Sequence, residues 1–106
     1  TLITSSAASD VYKRQSLMVQ ENADPDVIKD MKNFFNKLVP MDGSYIHSAE
    51  GKDDMPAHIK SAITNSNLSI SIQNNNLVLG MWQGLYLFEH RLENHTRLIN
   101  LHYVGD

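Results

Sequence analysis

The chain contains no cysteine among its 106 residues. This excludes disulfides and thiolate metal ligands, so a bound metal ion would depend on histidine, carboxylate or backbone groups, and a reducing compartment is permitted. No apolar run approaches the ~20 residues of a membrane span, and the first residues lack the apolar segment of a secretory signal. We therefore expect a cytoplasmic protein without a membrane partner.

An excess of positive charge is also absent. Nine lysines and arginines face twelve acidic residues, which gives a formal net charge of -3, so no basic field attracts nucleic acid. The sequence has no phosphate-binding loop, no dinucleotide glycine pattern and no serine elbow. These absences argue against a kinase, a Rossmann enzyme or a nucleic-acid-binding protein.

Residues 1–15 differ from the rest of the chain. They are rich in serine, alanine and threonine and show neither helical nor strand periodicity. We interpret them as a non-native or disordered leader, because residues 6–15 resemble a translated adapter remnant. The alternative is a short helix capped by Asp10. Residues 16–106 then form one domain, in keeping with the size of the chain.

The periodicity of the remaining residues predicts two helices and several strands. One helix begins at Asp24-Pro25 and ends before Pro40, and a second, capped by Asp54, runs to about Ile63. Strands are predicted at 17–19, in a hairpin formed by 68–72 and 77–79, and in an antiparallel pair formed by 84–91 and 97–104. The expected fold class is α+β, a mostly antiparallel sheet with two helices. The last strands are apolar on both faces, and the two helices could cover only one. The other face is therefore expected to pack on a subunit or on missing chain, and we predict an oligomer.

Candidate ligands concentrate between positions 45 and 60. His47, Glu50, Asp53, Asp54 and His58 fall within twelve residues, and imidazole and carboxylate groups are ligands that divalent zinc or manganese accepts. The sequence thus predicts a divalent metal site. Structural roles are the alternative: a helix cap for Asp54, a helix-dipole partner for Asp53, and a solvated loop charge for Glu50. The histidines could have surface or structural roles, and His58 could contact Asp54 within the helix.

A second candidate site surrounds the single tryptophan. Trp82 and Gln83 lie between two glycines, so the indole could stack on a substrate ring while the amide hydrogen-bonds a polar edge. A core tryptophan at a strand bend is the alternative. The histidines at 90, 95 and 102 are given no role.

Three blocks, residues 21–25, 50–61 and 80–91, closely resemble the YjbQ family in sequence, order and separation, within a match of about 16–106. The resemblance implies a YjbQ-like α+β homotrimer and a secondary thiamine-phosphate synthase, which joins hydroxymethylpyrimidine diphosphate to thiazole phosphate. It implies catalytic roles for His47, His58 and Lys60, substrate binding by Trp82 and Gln83, and a small-molecule phosphate ligand. The alternatives are metal or phosphate binding without turnover, and an interaction scaffold.

The chain departs from the family pattern in three places. Met81 replaces a threonine beside the tryptophan, and Tyr12-Lys13-Arg14-Gln15-Ser16 stands where the family has His-Thr-Ser-Ala-Ser. The family's opening strands have no counterpart. We therefore interpret the chain as N-terminally truncated and expect it to have little synthase activity.

Overall fold

A computed structural model describes residues 14–93 and 95–105. It confirms the α+β class, with two helices and two small antiparallel sheets. Of the residues interpreted as a leader, 1–15, positions 1–13 fall outside the described residues, whereas Gln15 begins a strand of the main sheet. In chain order the elements are β1 (Gln15–Glu21), α1 (Pro25–Leu38), α2 (Asp54–Ile63), β2 (Ile72–Gln73), β3 (Asn76–Leu77) and β4 (Gln83–Glu89).

The main sheet pairs β1 with β4. The two strands are antiparallel and in register from Gln15 opposite Glu89 to Glu21 opposite Gln83, and the ladder continues where His90 N–H donates to Arg14 O at 3.1 Å. The prediction that the strand beginning near Gly84 pairs with 97–104 was wrong, because β1 provides its partner. No strand is assigned to the described residues 95–105.

Helix α1 begins where the sequence predicts. The carboxylate of Asp24 caps it by accepting a hydrogen bond from Asp26 N at 2.9 Å, and Pro25 occupies the first turn. The helix packs on the sheet through Phe35, whose ring meets Phe88 edge to face with centroids 5.4 Å apart. This contact fixes α1 against β4.

Helix α2 has the predicted extent, but its start differs by one residue. Asp53 is the N-cap and makes no side-chain capping bond, while Asp54 is the first helical residue. The prediction that Asp54 caps the helix was therefore wrong. The reason is electrostatic: guanidinium groups engage both carboxylates, and neither is used to cap the N–H groups of the first helical turn.

The second sheet is a short hairpin, and its ladder covers only Ile72 opposite Leu77 and Gln73 opposite Asn76. Asn74 and Asn75 both adopt positive φ, 52° and 64°, as a two-residue type I′ turn requires. Residues 68–71 were predicted to extend the hairpin and are not in a strand.

Little apolar surface is enclosed. Within the described residues, only Val39 and Ala57 are hydrophobic and buried, whereas many large apolar side chains are exposed. Neither α1 nor α2 combines the length and apolarity that crossing a bilayer demands. The best-buried region is instead the polar start of α2.

Candidate metal centre

The candidate centre forms where the loop before α2 meets the first turns of that helix. Asp54 and His58 are four residues apart and share one helix face, while His47 and Glu50 approach from the loop. The loop turns at Gly51, whose φ is +105°, a backbone conformation that residues other than glycine rarely adopt. Helix and loop together gather predicted ligands from a single short segment.

Four predicted ligands converge. One ligand atom from each of His47, Glu50, Asp54 and His58 lies within 4.8 Å of the other three. Nε2 of His47 is 2.7 Å and Nε2 of His58 is 3.1 Å from the same oxygen, Oδ2 of Asp54. The imidazole centroids are 5.6 Å apart. The structure therefore brings both imidazoles to one carboxylate oxygen.

The two oxygens of Asp54 have different partners. Oδ2 faces the imidazoles, whereas Oδ1 accepts hydrogen bonds from Arg14 Nε at 2.6 Å and from Arg91 Nη1 at 2.9 Å. The side chain of Asp54 is fully buried. Burial acts to raise the pKa of Asp54, but hydrogen bonds from Arg14 and His47 outweigh it and hold the pKa below its usual range. Asp54 is therefore an ionised carboxylate.

Asp53 lies beside the centre but points elsewhere. Its carboxylate accepts hydrogen bonds from Arg91 Nε at 2.9 Å and from the backbone N–H of Leu92 at 2.9 Å. The Arg91 hydrogen bond is the main cause of its lowered pKa. Asp53, predicted as a ligand, is not among the four convergent residues and holds Arg91 instead.

The two arginines that pair with Asp54 lie far apart in the sequence. Arg14 precedes β1 and Arg91 follows β4, and the antiparallel pairing of these strands brings them together beside α2. Neither arginine was predicted as a site residue, and Arg14 was assigned to the leader. The sequence does indicate that such partners exist, because buried carboxylates need cationic partners and the only lysines or arginines in the 45–60 segment are Lys52 and Lys60. Further cations therefore had to come from other parts of the chain.

Lys60 occupies a different environment. It is buried, 4% exposed, and its Nζ donates to Oδ1 of Asn36 on α1 at 3.0 Å. Desolvation lowers its pKa. The structure thus directs Lys60 between the helices, and it is not one of the four convergent residues.

Trp82 and Gln83 lie at the far end of β4. Trp82 is 61% exposed, and the Gln83 side chain folds back so that its Oε1 accepts a hydrogen bond from Gly80 N at 2.7 Å. Seven residues of β4 at about 3.4 Å each separate this end from Arg91, a distance on the order of 20 Å. Within one chain the tryptophan block and the metal-ligand cluster are therefore apart.

An open depression adjoins the cluster on the loop side. Its volume is about 770 Å³, and the side chains of His47 and His58 are 40% and 30% exposed. The imidazoles are thus accessible to ions from solvent. The depression is lined by Ser44, Tyr45, Ile46, His47, Ser48, Ala49 and Met55.

The fold and this cluster define an α+β protein with a grouped set of histidine and carboxylate side chains. Residues 14–106 match the family model described as UPF0047 protein YjbQ-like. The chain belongs to the YjbQ/UPF0047 family, which confirms the resemblance identified from the sequence.

Individual relatives agree with this assignment. A UPF0047 protein of Synechocystis is 54% identical over 92 residues, which cover 86% of this chain and 63% of that protein. The UPF0047 protein YjbQ of Escherichia coli O157:H7 is 44% identical over 84 residues, 79% of this chain and 61% of the relative. The chain thus spans less than two thirds of the length of these relatives.

A solved structure supports the fold. A crystal structure from Clostridium acetobutylicum superposes with a TM-score of 0.66 at 32% identity, covering 81% of this chain and 73% of the other. It is described as an uncharacterized conserved protein of the YjbQ/UPF0047 family.

These comparisons correct the expected activity. The family description and the names of the relatives specify no reaction, and the solved relative is called uncharacterized. The inference of a thiamine-phosphate synthase from family resemblance was therefore wrong. The alternative of a trimer that binds a metal or a phosphate ligand without turnover finds no support in these names either.

Proposed function

We propose that the chain holds a divalent metal ion of the zinc or manganese class through His47, Asp54 and His58, with Glu50 as a further ligand. The observation that carries this proposal is the placement of four candidate ligand atoms within 4.8 Å of one another. Such an ion would supply Lewis-acid chemistry to a molecule entering from the open side.

The distances support this ligand set. Ligands about 2.1 Å from a tetrahedral ion are about 3.4 Å from each other, whereas the two imidazole nitrogens lie 2.7 Å and 3.1 Å from Oδ2 of Asp54. An ion would therefore require outward shifts of less than about 1 Å. Metal ligation requires each Nε2 to be deprotonated, so binding of the ion would release any proton that an Nε2 shares with Asp54.

The charge of the surroundings also favours a cation. Three carboxylates, those of Glu50, Asp53 and Asp54, face two guanidinium groups, those of Arg14 and Arg91. Among these groups of the described residues, one negative charge remains in excess. Because Asp54 is fully buried, its interaction with an added cation is screened less than a surface interaction would be.

Calorimetric titration with Zn²⁺ and Mn²⁺ tests the proposal. We expect one ion per chain, and a loss of affinity of at least about tenfold in His47→Ala and in His58→Ala. His95→Ala is the matched control, because this exposed histidine is outside the cluster. Absence of saturable binding, or equal affinity in all three variants, contradicts the proposal.

Self-association is a separate proposal. The expected homotrimer is supported by exposed apolar side chains on β4 and before it, because large exposed apolar surfaces commonly mark interfaces. Light scattering coupled to size-exclusion chromatography would give the mass, and a monomeric mass over the tested concentrations contradicts it. The side chains concerned are Trp82, Leu85 and Leu87.

A further inference from the structure

One guanidinium group bridges two of the four candidate metal ligands. Arg14 donates from Nη2 to Oε2 of Glu50 at 2.6 Å and from Nε to Oδ1 of Asp54 at 2.6 Å. Both are short, charge-assisted hydrogen bonds. The acidic half of the centre therefore already holds an internal cation.

Arg91 contacts the same region in a different way. It shares Oδ1 of Asp54 with Arg14, but its other donors reach the carboxylate of Asp53 and the backbone carbonyl of Glu50. None of these contacts engages the Glu50 carboxylate. Arg91 thus orients Asp54 without pairing with the Glu50 carboxylate. Arg14 pairs with the carboxylates of both candidate ligands.

We propose, on the basis of the proposed metal site, that Arg14 competes with the divalent ion for Glu50 and Asp54 and thereby limits the metal affinity of the centre. The guanidinium and the ion are both positive and would interact with the same two carboxylates. Each therefore reduces the favourable interaction free energy of the other with these carboxylates. Arg14 also aligns Asp54, but Arg91 duplicates that contribution. Repulsion between the two cations therefore decides the direction of the effect.

Glu50 provides the adjustable part of this competition. Its side chain is 55% exposed, whereas that of Asp54 is fully buried. Glu50 can exchange Arg14 for the ion by rotating its own side chain, and Asp54 stays in place. Arg14, with a side chain only 18% exposed, turns away from Glu50 as the ion enters.

Zn²⁺ titration of the wild type, Arg14→Gln and Arg14→Lys tests the competition. Arg14→Gln removes the charge and is expected to bind Zn²⁺ about tenfold more tightly, a typical size for coupling between two sites. Arg14→Lys keeps the charge and is the matched control, with affinity close to that of the wild type. Equal or weaker binding by Arg14→Gln overturns the inference.

A measurement on the wild type makes the test independent of whether the variants fold. In proton–nitrogen correlation NMR spectra that detect arginine side chains, the Nε–H signal of Arg14 is expected to shift on saturation with Zn²⁺, because this group donates to Asp54. The Nε–H of Arg91 donates to Asp53 and is expected to move much less. An unchanged Arg14 signal at saturation overturns the inference.

The two proposals fail in different ways. If the wild type binds Zn²⁺ and His47→Ala weakens binding, but Arg14→Gln does not strengthen it, only the competition is wrong. If neither the wild type nor a folded Arg14→Gln binds Zn²⁺, the metal site is wrong and the competition falls with it.

Discussion

The Nε2 atom of His47 lies 2.7 Å from Oδ2 of Asp54, although the two residues are seven positions apart and belong to different elements. Their contact joins the loop to the first turn of α2. Asp54 is held from its other oxygen by Arg14 and Arg91. One buried carboxylate is therefore the common partner of the imidazoles and the arginines.

Asp54→Asn tests the importance of that carboxylate for stability. The substitution preserves shape but removes the charge that two guanidinium groups share, and breaking a buried ion pair commonly costs 3–5 kcal/mol. We expect the free energy of unfolding to fall by about 3 kcal/mol, as measured by urea denaturation. Metal affinity should fall as well.

Glu50→Gln is the control for Asp54→Asn. Its carboxylate also pairs with Arg14, but its side chain is 55% exposed, so the stability change should be below about 1 kcal/mol. Similar stability losses in both variants would contradict the central role of Asp54.

Gly51→Ala tests the loop geometry. The φ of +105° strains any other residue, and an added Cβ would lie 3.1 Å from Oδ1 of Asp53. We expect a loss of about 1–3 kcal/mol in unfolding free energy, with weaker Zn²⁺ binding as the loop shifts. Ser48→Ala, an exposed position in the same loop, should change stability by less than about 0.5 kcal/mol. Equal changes in unfolding free energy for the two substitutions would contradict a requirement for glycine at position 51.

Lys60→Met tests whether the buried lysine serves structure or the metal centre. Its lowered pKa means that burial disfavours the ammonium form, so at neutral pH the folded state bears a penalty that an apolar side chain removes. We expect an increase of about 1 kcal/mol in unfolding free energy and an unchanged metal affinity. Lys52→Met, at an exposed position, should leave both nearly unchanged. A marked loss of metal affinity in Lys60→Met alone would place Lys60 in the site.

His90 should make stability depend on pH. Burial, and secondarily the charge of Lys60, lower its pKa from 6.5 to about 4. As pH falls, the unfolded chain protonates this histidine before the folded chain does. The contribution of neutral His90 to the free energy of unfolding is therefore complete above about pH 6.5 and is lost between about pH 6.5 and 4. The loss should approach about 3 kcal/mol.

The check is urea denaturation across this pH range in the wild type and in His90→Gln, which does not titrate. The amide can retain a hydrogen bond to Oγ of Ser16, the present partner of His90 Nε2. A slope as steep in His90→Gln as in the wild type would assign the acid sensitivity to other groups.

Local signals predicted the local parts of the fold. Asp24 and Pro25 mark the start of α1, and the histidine and carboxylate segment contains all four convergent ligands. The pairing of β1 with β4 could not be read from periodicity, since alternation shows that a strand exists but not which strand lies beside it. The same limit concealed Arg14 and Arg91.

The capping role expected for Asp54 shows a different limit. Aspartate before a proline commonly caps a helix, and Asp24 does so. At Asp54 two guanidinium groups, supplied by distant parts of the chain, provide stronger partners than backbone N–H groups. Tertiary contacts therefore override the local preference.

The contiguity of the ligands has a consequence for biosynthesis. His47, Glu50, Asp54 and His58 occupy one stretch of twelve positions, whereas Arg91 lies far beyond it. A chain emerging from the ribosome exposes the entire ligand stretch before β4 leaves the exit tunnel, because the N-terminal part emerges first. In the proposed metal site, an ion could therefore bind before β4 pairs with β1.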